Sequence, residues 1–272
     1  MRSSGAFFDG PRPRLFGHRG AAAVEPENTL RSFSRAISDG ADYLELDVHA
    51  TADAQVVVIH DPTVDRTTDG KGAVKEWTLS ALRRLDAGYR FRAADGGFPA
   101  RGQGVTIPTL EEVIDAFPSV PLTVEVKQAE PRIAERVVQV LLAHRAAGRV
   151  VVAAGNDDIM PQLRSAGAAH GIPTSFSTAE VAEFVKRVAE GALVGYRPPG
   201  AALQVPPEWE GIQVITAATV AAAHALGVEV HAWTINDEAE MERLLSLGTD
   251  GIMTDLPALG RSVIARHTAK HG

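Results

Sequence analysis

Short runs of aliphatic and β-branched residues alternate along the chain with longer stretches whose apolar positions recur every three or four residues. The short runs predict strands at 14–18 (RLFGH), 42–48 (DYLELDV), 56–60 (VVVIH), 122–127 (LTVEVK), 149–154 (RVVVAA), 173–177 (PTSFS), 202–206 (ALQVP), 228–234 (VEVHAWT) and 250–254 (DGIMT). The periodic stretches predict helices within 27–40, 109–117, 131–148, 158–171, 178–191, 218–227 and 239–248. Several of these end in glycine, the common helix stop. Strand and helix in turn point to βα units and a parallel sheet. Eight or nine strand signals over this length favour a closed barrel, and no G-x-G-x-x-G follows the first strand to support a Rossmann fold. The predicted class is therefore α/β, a (β/α)8 TIM barrel with a small insertion after the second barrel strand. One domain over residues 12–268 is expected. The insertion, about residues 61–108, breaks the alternation with a Gly- and Arg-rich stretch, YRFRAADGGFPARGQGV, and a short helix near TLSALRRLD. It is expected to lie over one barrel mouth and to have the greatest freedom to move.

Composition adds limits. The chain has 272 residues, 45% hydrophobic and 22% charged, enough for a large core in an ordinary globular protein. Its net charge of −7 speaks against nucleic acid, which requires a basic stripe. There is no cysteine, which excludes disulfides, thiolate metal sites and cysteine nucleophiles. The N-terminal segment MRSSGAFFDGPRPRLFGHRG lacks the apolar stretch of a signal peptide, and no run reaches the length of a membrane span. A cytoplasmic protein is expected.

The strand ADYLELDVHA carries two acids where a core face should be. Residues two apart on a strand project to one side, so Glu45 and Asp47 project together, as do Glu125 and Lys127 of TVEVK. Buried carboxylates are costly without partners. Two explanations fit. A divalent cation could be surrounded by Glu45, Asp47 and Glu125, a hard oxygen set that suits Mg2+, Ca2+ or Mn2+. Alternatively, Lys127 and Arg19 could neutralise the acids in a structural ion-pair network. Two histidines favour the first: His18 ends the first strand in FGHRG, and His60 ends VVVIH. In barrels the functional groups come from the C-terminal ends of strands, and a histidine pair can divide general acid and base work near neutrality. The glycines flanking HR are read as allowing close backbone approach to a ligand. Arg19 can grip a phosphate with two hydrogen bonds and Lys127 can act on it as a point charge. The set describes phosphoryl transfer better than glycoside hydrolysis. Trp233 in HAWTIN is either an apolar wall for substrate or a core tryptophan. Asn28 is read as a helix cap, Glu27 as a partner for Arg19, and His49 and His231 as structural or exposed. Gln204 is a further candidate for substrate contact.

The segments GHRGAAAVEPENTLRSF, GADYLELDVHATADAQVVVIHDPTVDRTTDGKG, TVEVK and VHAWTIND…LLSLGTDGIMTDLP resemble the glycerophosphodiester phosphodiesterase family over about residues 13–260, in the family's order. The resemblance implies a TIM barrel and one divalent cation, Mg2+ or Ca2+ with Mn2+ also admissible. It implies His18 and His60 as the acid/base pair, Glu45, Asp47 and Glu125 as metal ligands, and Arg19 and Lys127 at the phosphate. The implied reaction is hydrolysis of a glycerophosphodiester to sn-glycerol 3-phosphate and an alcohol. LRRLDAGYRF resembles a branch with lysophospholipase D-type members, so a hydrolase of lysophospholipids is the alternative. Departures are few: Thr249 stands where valine is frequent, and VVVAAGND replaces a Ser-Phe pair in the pocket wall. A barrel aldolase using Lys127 as Schiff-base nucleophile and a non-catalytic phosphate-binding barrel are the other classes considered. The expected partner is a small-molecule diester, with no nucleic acid, no membrane span, and an oligomeric state left open.

Overall fold

The computed structural model describes residues 6–271; residues 1–5, part of the segment read above as lacking a leader, and residue 272 lie outside the described residues. In chain order the strands are β1 (Arg14–His18), β2 (Tyr43–Ala50), β3 (Val56–Val58), β4 (Leu122–Val126), β5 (Val150–Ala153), β6 (Ala202–Val205), β7 (Glu208–Trp209), β8 (Ile212–Gln213), β9 (Glu229–Ala232) and β10 (Gly251–Thr254). The helices are α1 (Leu30–Ser38), α2 (Leu79–Leu82), α3 (Leu110–Ala116), α4 (Ala134–Ala143), α5 (Met160–Gly167), α6 (Thr178–Glu190), α7 (Ala217–Ala225), α8 (Glu238–Ser246) and α9 (Pro257–His271).

Parallel pairing runs β5-β4-β2-β1-β10-β9-β6. Residues 174 and 175 close the ring, through parallel bridges of Thr174 to Val152 in β5 and of Ser175 to Ala202 in β6. The run PTSFS is thus the fifth of eight staves, and the barrel predicted from the alternation is the fold. Among the elements that differ from the sequence reading are the run VVVIH and the last helix. The run VVVIH is not a stave: β3 pairs antiparallel with β2, Val48 opposite Val58 and Ala50 opposite Val56. β2 overshoots the mouth and β3 folds back along it, because AQVVV follows a turn too short for a crossover. The C-terminal helix α9, which the periodicity did not mark, packs on α8, β1 and β10.

The insertion has an apolar cluster of its own, in which Val57 and Ile59 of the hairpin arm meet Val64, Val74, Leu82, Ala87, Ala100, Val105 and Ile107. The glycines around HR serve packing rather than ligand approach. A Cβ on Gly17 would lie 2.7 Å from Cβ of Ala36, and one on Gly20, at φ +90°, 2.3 Å from Oγ of Ser32. Both let α1 lie close against β1.

Alternate residues of the staves stack in layers inside the barrel. The lowest holds Arg14, Tyr43 and Glu229. Arg14 is fully buried; its Nε and Nη2 donate to Glu229 at 2.9 and 2.8 Å, and Nη1 donates to the Tyr43 hydroxyl at 2.5 Å. Phe7, Phe16, Tyr43, Val151 and Met253 form an apolar cluster next to it, against which Trp233 packs. His231, also fully buried, donates to Glu229 through Nε2 at 3.0 Å, so its role is structural. Above these, at the C-terminal ends of the staves, lie the acids.

Burial alone would raise the Glu229 carboxyl, but hydrogen bonds from Arg14 and His231 outweigh it and hold it at about 2. A carboxyl depressed in the folded state contributes stability above its unfolded pKa, about 4.3, and loses it as pH falls through the folded value. Urea midpoints should therefore fall between about pH 4.3 and pH 2 more steeply in the wild type than in Glu229→Gln. At pH 7 that variant leaves Arg14 buried without its counter-charge and should lose about 3–5 kcal/mol, measured by urea unfolding.

Candidate active site

Glu45 and Asp47 leave β2, and Glu125 leaves β4, toward one point: one carboxylate oxygen from each lies within 4.8 Å of the others. The register Asp47 opposite Glu125 sets this convergence. Two cations face the three acids. Lys127 Nζ lies 2.9 Å from Glu125 and 3.3 Å from Asp47, and Arg19 Nε lies 3.2 Å from Asp47 without hydrogen-bond alignment. Both cations contact Asp47. Burial would raise its carboxyl, yet Lys127, Arg19 and His60, with a hydrogen bond from Asn28, hold it down. Glu45 is left over. Buried, and next to Asp47, its carboxyl is pushed up to about 7. Its contacts are the Arg19 backbone N–H at 3.0 Å and His18 Nε2 at 3.9 Å.

The cluster therefore contains one more carboxylate than it has fixed cations, and the excess sits on a residue only 4% exposed. The ion-pair network accounts for Asp47 and Glu125 but not for Glu45. A divalent cation among three hard oxygen donors matches this deficit, so the residues present fit such an ion. Burial would lower the Lys127 ammonium, but Asp47 and Glu125 raise it instead. A lysine held charged is a poor Schiff-base nucleophile, which removes the basis for the aldolase reading.

His18 stands at the end of β1, as expected. His60 reaches the same mouth by another route: Ile59 N–H donates to the Asp47 carbonyl at 2.9 Å, and His49 Nε2 donates to the His60 carbonyl at 3.0 Å. The returning arm β3, not the end of a stave, positions it. Both imidazoles are fixed by aspartates that the sequence reading missed. His18 Nδ1 donates to Asp255 at 2.7 Å, and Asn236 Nδ2 donates to the other oxygen of Asp255 at 2.6 Å. His60 Nδ1 donates to Asp61 at 2.7 Å, and Asp61 is gripped by Arg66 at 2.7 and 3.1 Å. These contacts leave Nε2 of each ring for the mouth. Burial works against protonated His18, but Asp255 and Glu45 outweigh it and raise its pKa. Asp61 follows His60 directly, and Asp255 follows the last stave in MTDLP. Position at a strand end was the available signal for both.

Asn28 is not the cap of α1. Its φ is +57°, whereas Thr29 has the extended backbone of a cap and accepts from the Ser32 N–H. Asn28 instead donates through Nδ2 to Asp47 at 2.9 Å and accepts from the Asp47 N–H at 3.3 Å. Glu27 accepts from Arg19 Nη1 at 3.0 Å and also from Arg66. Trp233, Gln204, His18, Arg19, His60 and Lys127 all line one cavity of about 720 Å³. Gln204 Nε2 donates to Thr123 at 3.0 Å, while its Oε1 is buried without a partner.

From the acidic cluster the cavity runs between α6 and the β7–β8 hairpin, where Val181, Val185 and Ala189 face the side of Trp209, Ile212 and Val214. None of this was visible as a pattern. The two short strands form an isolated hairpin, with Trp209 and Ile212 more than half exposed.

A barrel with an acid cluster between two aspartate-bound histidines, and with Arg and Lys beside it, defines the class as a phosphodiesterase barrel. The glycerophosphoryl diester phosphodiesterase family matches residues 18–259. The chain belongs to that family and is a phosphodiesterase. It is 30% identical to the glycerophosphodiester phosphodiesterase of Bacillus subtilis (strain 168), over 96% of this chain and 89% of that one. It is 27% identical to a lysophospholipase D of Mus musculus, over 90% of this chain and 83% of that one. The structure of an Oleispira antarctica phosphodiesterase in complex with the product sn-glycerol-3-phosphate superposes with a TM-score of 0.74 at 25% identity, covering 93% of this chain and 97% of that one. Among the described residues no helix is long and apolar enough to cross a membrane.

Asp255→Asn keeps the shape of the His18 contact and removes its charge. It is expected to lower kcat about 10–100-fold with little change in KM. An unchanged kcat would mean that His18 needs no such support.

Proposed function

We propose that the chain hydrolyses glycerophosphodiesters to sn-glycerol 3-phosphate and an alcohol, with one divalent cation, Mg2+ or Ca2+, held by Glu45, Asp47 and Glu125. The observation that carries this reading is the carboxylate cluster short of one cation, set between two histidines whose Nδ1 atoms are already taken. Such a cation, when bound, polarises phosphoryl oxygens and lowers the pKa of an oxygen nucleophile. Arg19 has a guanidinium edge at the mouth and Lys127 a charged ammonium, and together they hold the phosphate's negative oxygens. One histidine accepts the nucleophile's proton at Nε2, and the other protonates the leaving alkoxide from Nε2. Asp255 and Asp61 keep each ring in the required tautomer. Trp233 forms one wall beside the reacting phosphate. The product complex of the Oleispira antarctica relative is consistent with this.

The purified protein should release glycerol 3-phosphate from glycerophosphocholine with Mg2+ or Ca2+, and excess EDTA should abolish the release. His18→Ala and His60→Ala should each lower turnover about 10²–10⁴-fold. A variant that keeps near wild-type turnover takes that histidine out of the role.

A second reading, lysophospholipase D-type hydrolysis, draws on the apolar arm of the cavity. From Val181 to Ala189, α6 offers a wall about 12 Å long at 1.5 Å per residue, and Phe176, Trp209 and Ile212 are also apolar lining residues. One aliphatic chain on the glycerol side fits such a groove. Under this reading, Trp209→Ala should reduce kcat/KM for lysophosphatidylcholine about 10-fold and leave glycerophosphocholine unaffected. Equal effects on both substrates would remove the acyl chain from the groove.

A further inference from the structure

A second cavity, of about 380 Å³, lies on the other side of Glu27 from Arg19. The loop Ala22–Glu27 forms one wall, and residues 66–67 and 87–92 of the insertion form the other. Three arginines, Arg66, Arg90 and Arg92, are among its lining residues, with one acid, Glu27. Arg66 is committed: it donates to Glu27 at 2.6 and 2.8 Å and to Asp61 at 2.7 and 3.1 Å. Arg90 and Arg92 are not. Arg90 Nε donates to the Thr68 carbonyl at 3.1 Å and Arg92 Nε to the Gly96 carbonyl at 3.3 Å. Neither has an acidic partner among the described residues. Two arginines without acidic partners are therefore among the lining residues of a concave site, in a chain whose net charge is −7. Paired arginines are suited to phosphate, which they bind through two parallel hydrogen bonds each.

Position relates this cavity to the reacting centre. Glu27 bonds both Arg19 and Arg66, and Asp61 bonds both His60 and Arg66. The cavity is thus separated from the phosphate-facing arginine by one side chain, Glu27, and from one catalytic histidine by two, Arg66 and Asp61. It adjoins the loops after β1 and β2. The apolar groove adjoins the loops after residues 174–175 and after β6, across the ring of staves. A diester whose glycerol side points into the groove sends its leaving alcohol toward the arginines.

We propose that this cavity is a subsite for a second anionic group on the leaving alcohol, a phosphate in the simplest case, so that the enzyme prefers phosphodiesters that continue into a further phosphate. The proposal rests on the phosphodiesterase reading of the mouth, and its test separates the two. Glycerophosphoglycerol is compared with the same diester bearing a terminal phosphate on its leaving glycerol. In the wild type the phosphorylated diester should have a KM about 10-fold lower, and the advantage should shrink at high salt. In Arg90→Ala/Arg92→Ala it should vanish, with kcat and the kinetics of glycerophosphoglycerol unchanged. Arg90→Lys/Arg92→Lys should restore part of it. Both arginines are exposed, so the variants should keep the wild-type melting temperature.

Calorimetric binding of the two diesters in EDTA reads the same difference without turnover. Failure of hydrolysis then counts against the mouth, and equal binding counts against the subsite. A wild type without the preference, or a double variant that keeps it, overturns the proposal. So does inorganic phosphate binding that depends on Arg90 and Arg92 while the two diesters bind alike, because the cavity would then serve a free anion.

Discussion

Three carboxylates held within 4.8 Å of one another in a barrel interior repel strongly, and the rest of the mouth is arranged around that repulsion. Lys127 bridges Asp47 and Glu125, and Arg19 also lies against Asp47. Asn28 adds two hydrogen bonds to the same residue, one from its own side chain and one from the Asp47 backbone. This leaves Glu45 with the unbalanced charge and a carboxyl pushed up to about 7. A site built for structure alone would have placed a third basic side chain there, or an apolar one. The excess of one acid is what a divalent cation would balance and an ion-pair network would not need.

The lower layer provides the contrast. Arg14 and Glu229 are a matched pair with Tyr43 and His231 completing the hydrogen bonds, so that layer is satisfied by itself. Phe16, Val151 and Met253 separate it from the mouth. The barrel thus holds two charged layers of opposite character, one closed on itself and one open to ligand. The apolar layer between them restricts water below the site, which strengthens the electrostatic interactions above it.

Charge then spreads outward from the histidines. Asp255 and Asp61 each hold one imidazole; Asn236 supports the first aspartate and Arg66 the second. Arg66 also binds Glu27, which binds Arg19, so the returning hairpin arm, the first βα loop and the insertion share one chain of ion pairs. The insertion is therefore tied to the site through Arg66. It contributes both the partner of Asp61 and the two arginines left without acids. On the opposite side of the ring the lining is apolar, so the mouth presents different chemistry to the two ends of a diester.

Much of this was determined by local sequence. The period-two placement of Glu45, Asp47, Glu125 and Lys127 dictated that they would project in pairs, because alternate residues of a strand share a side. The alternation of strands with glycine-terminated helices dictated a parallel α/β sheet, because parallel strands need helical crossovers. What local pattern could not supply was anything that depends on where distant segments meet. VVVIH reads as a stave whether it pairs parallel or folds back, and only the turn after Ala50 decides. Asn28 carries a capping side chain, but its left-handed backbone hands the cap to Thr29 and turns Asn28 toward Asp47. Asp255 lies 237 residues from His18 and Glu27 lies 39 from Arg66. Such partnerships, the hairpin wall of the groove and the pair of unmatched arginines come from closure of the ring. Closure is set by packing across the whole chain, and no window of the sequence contains it.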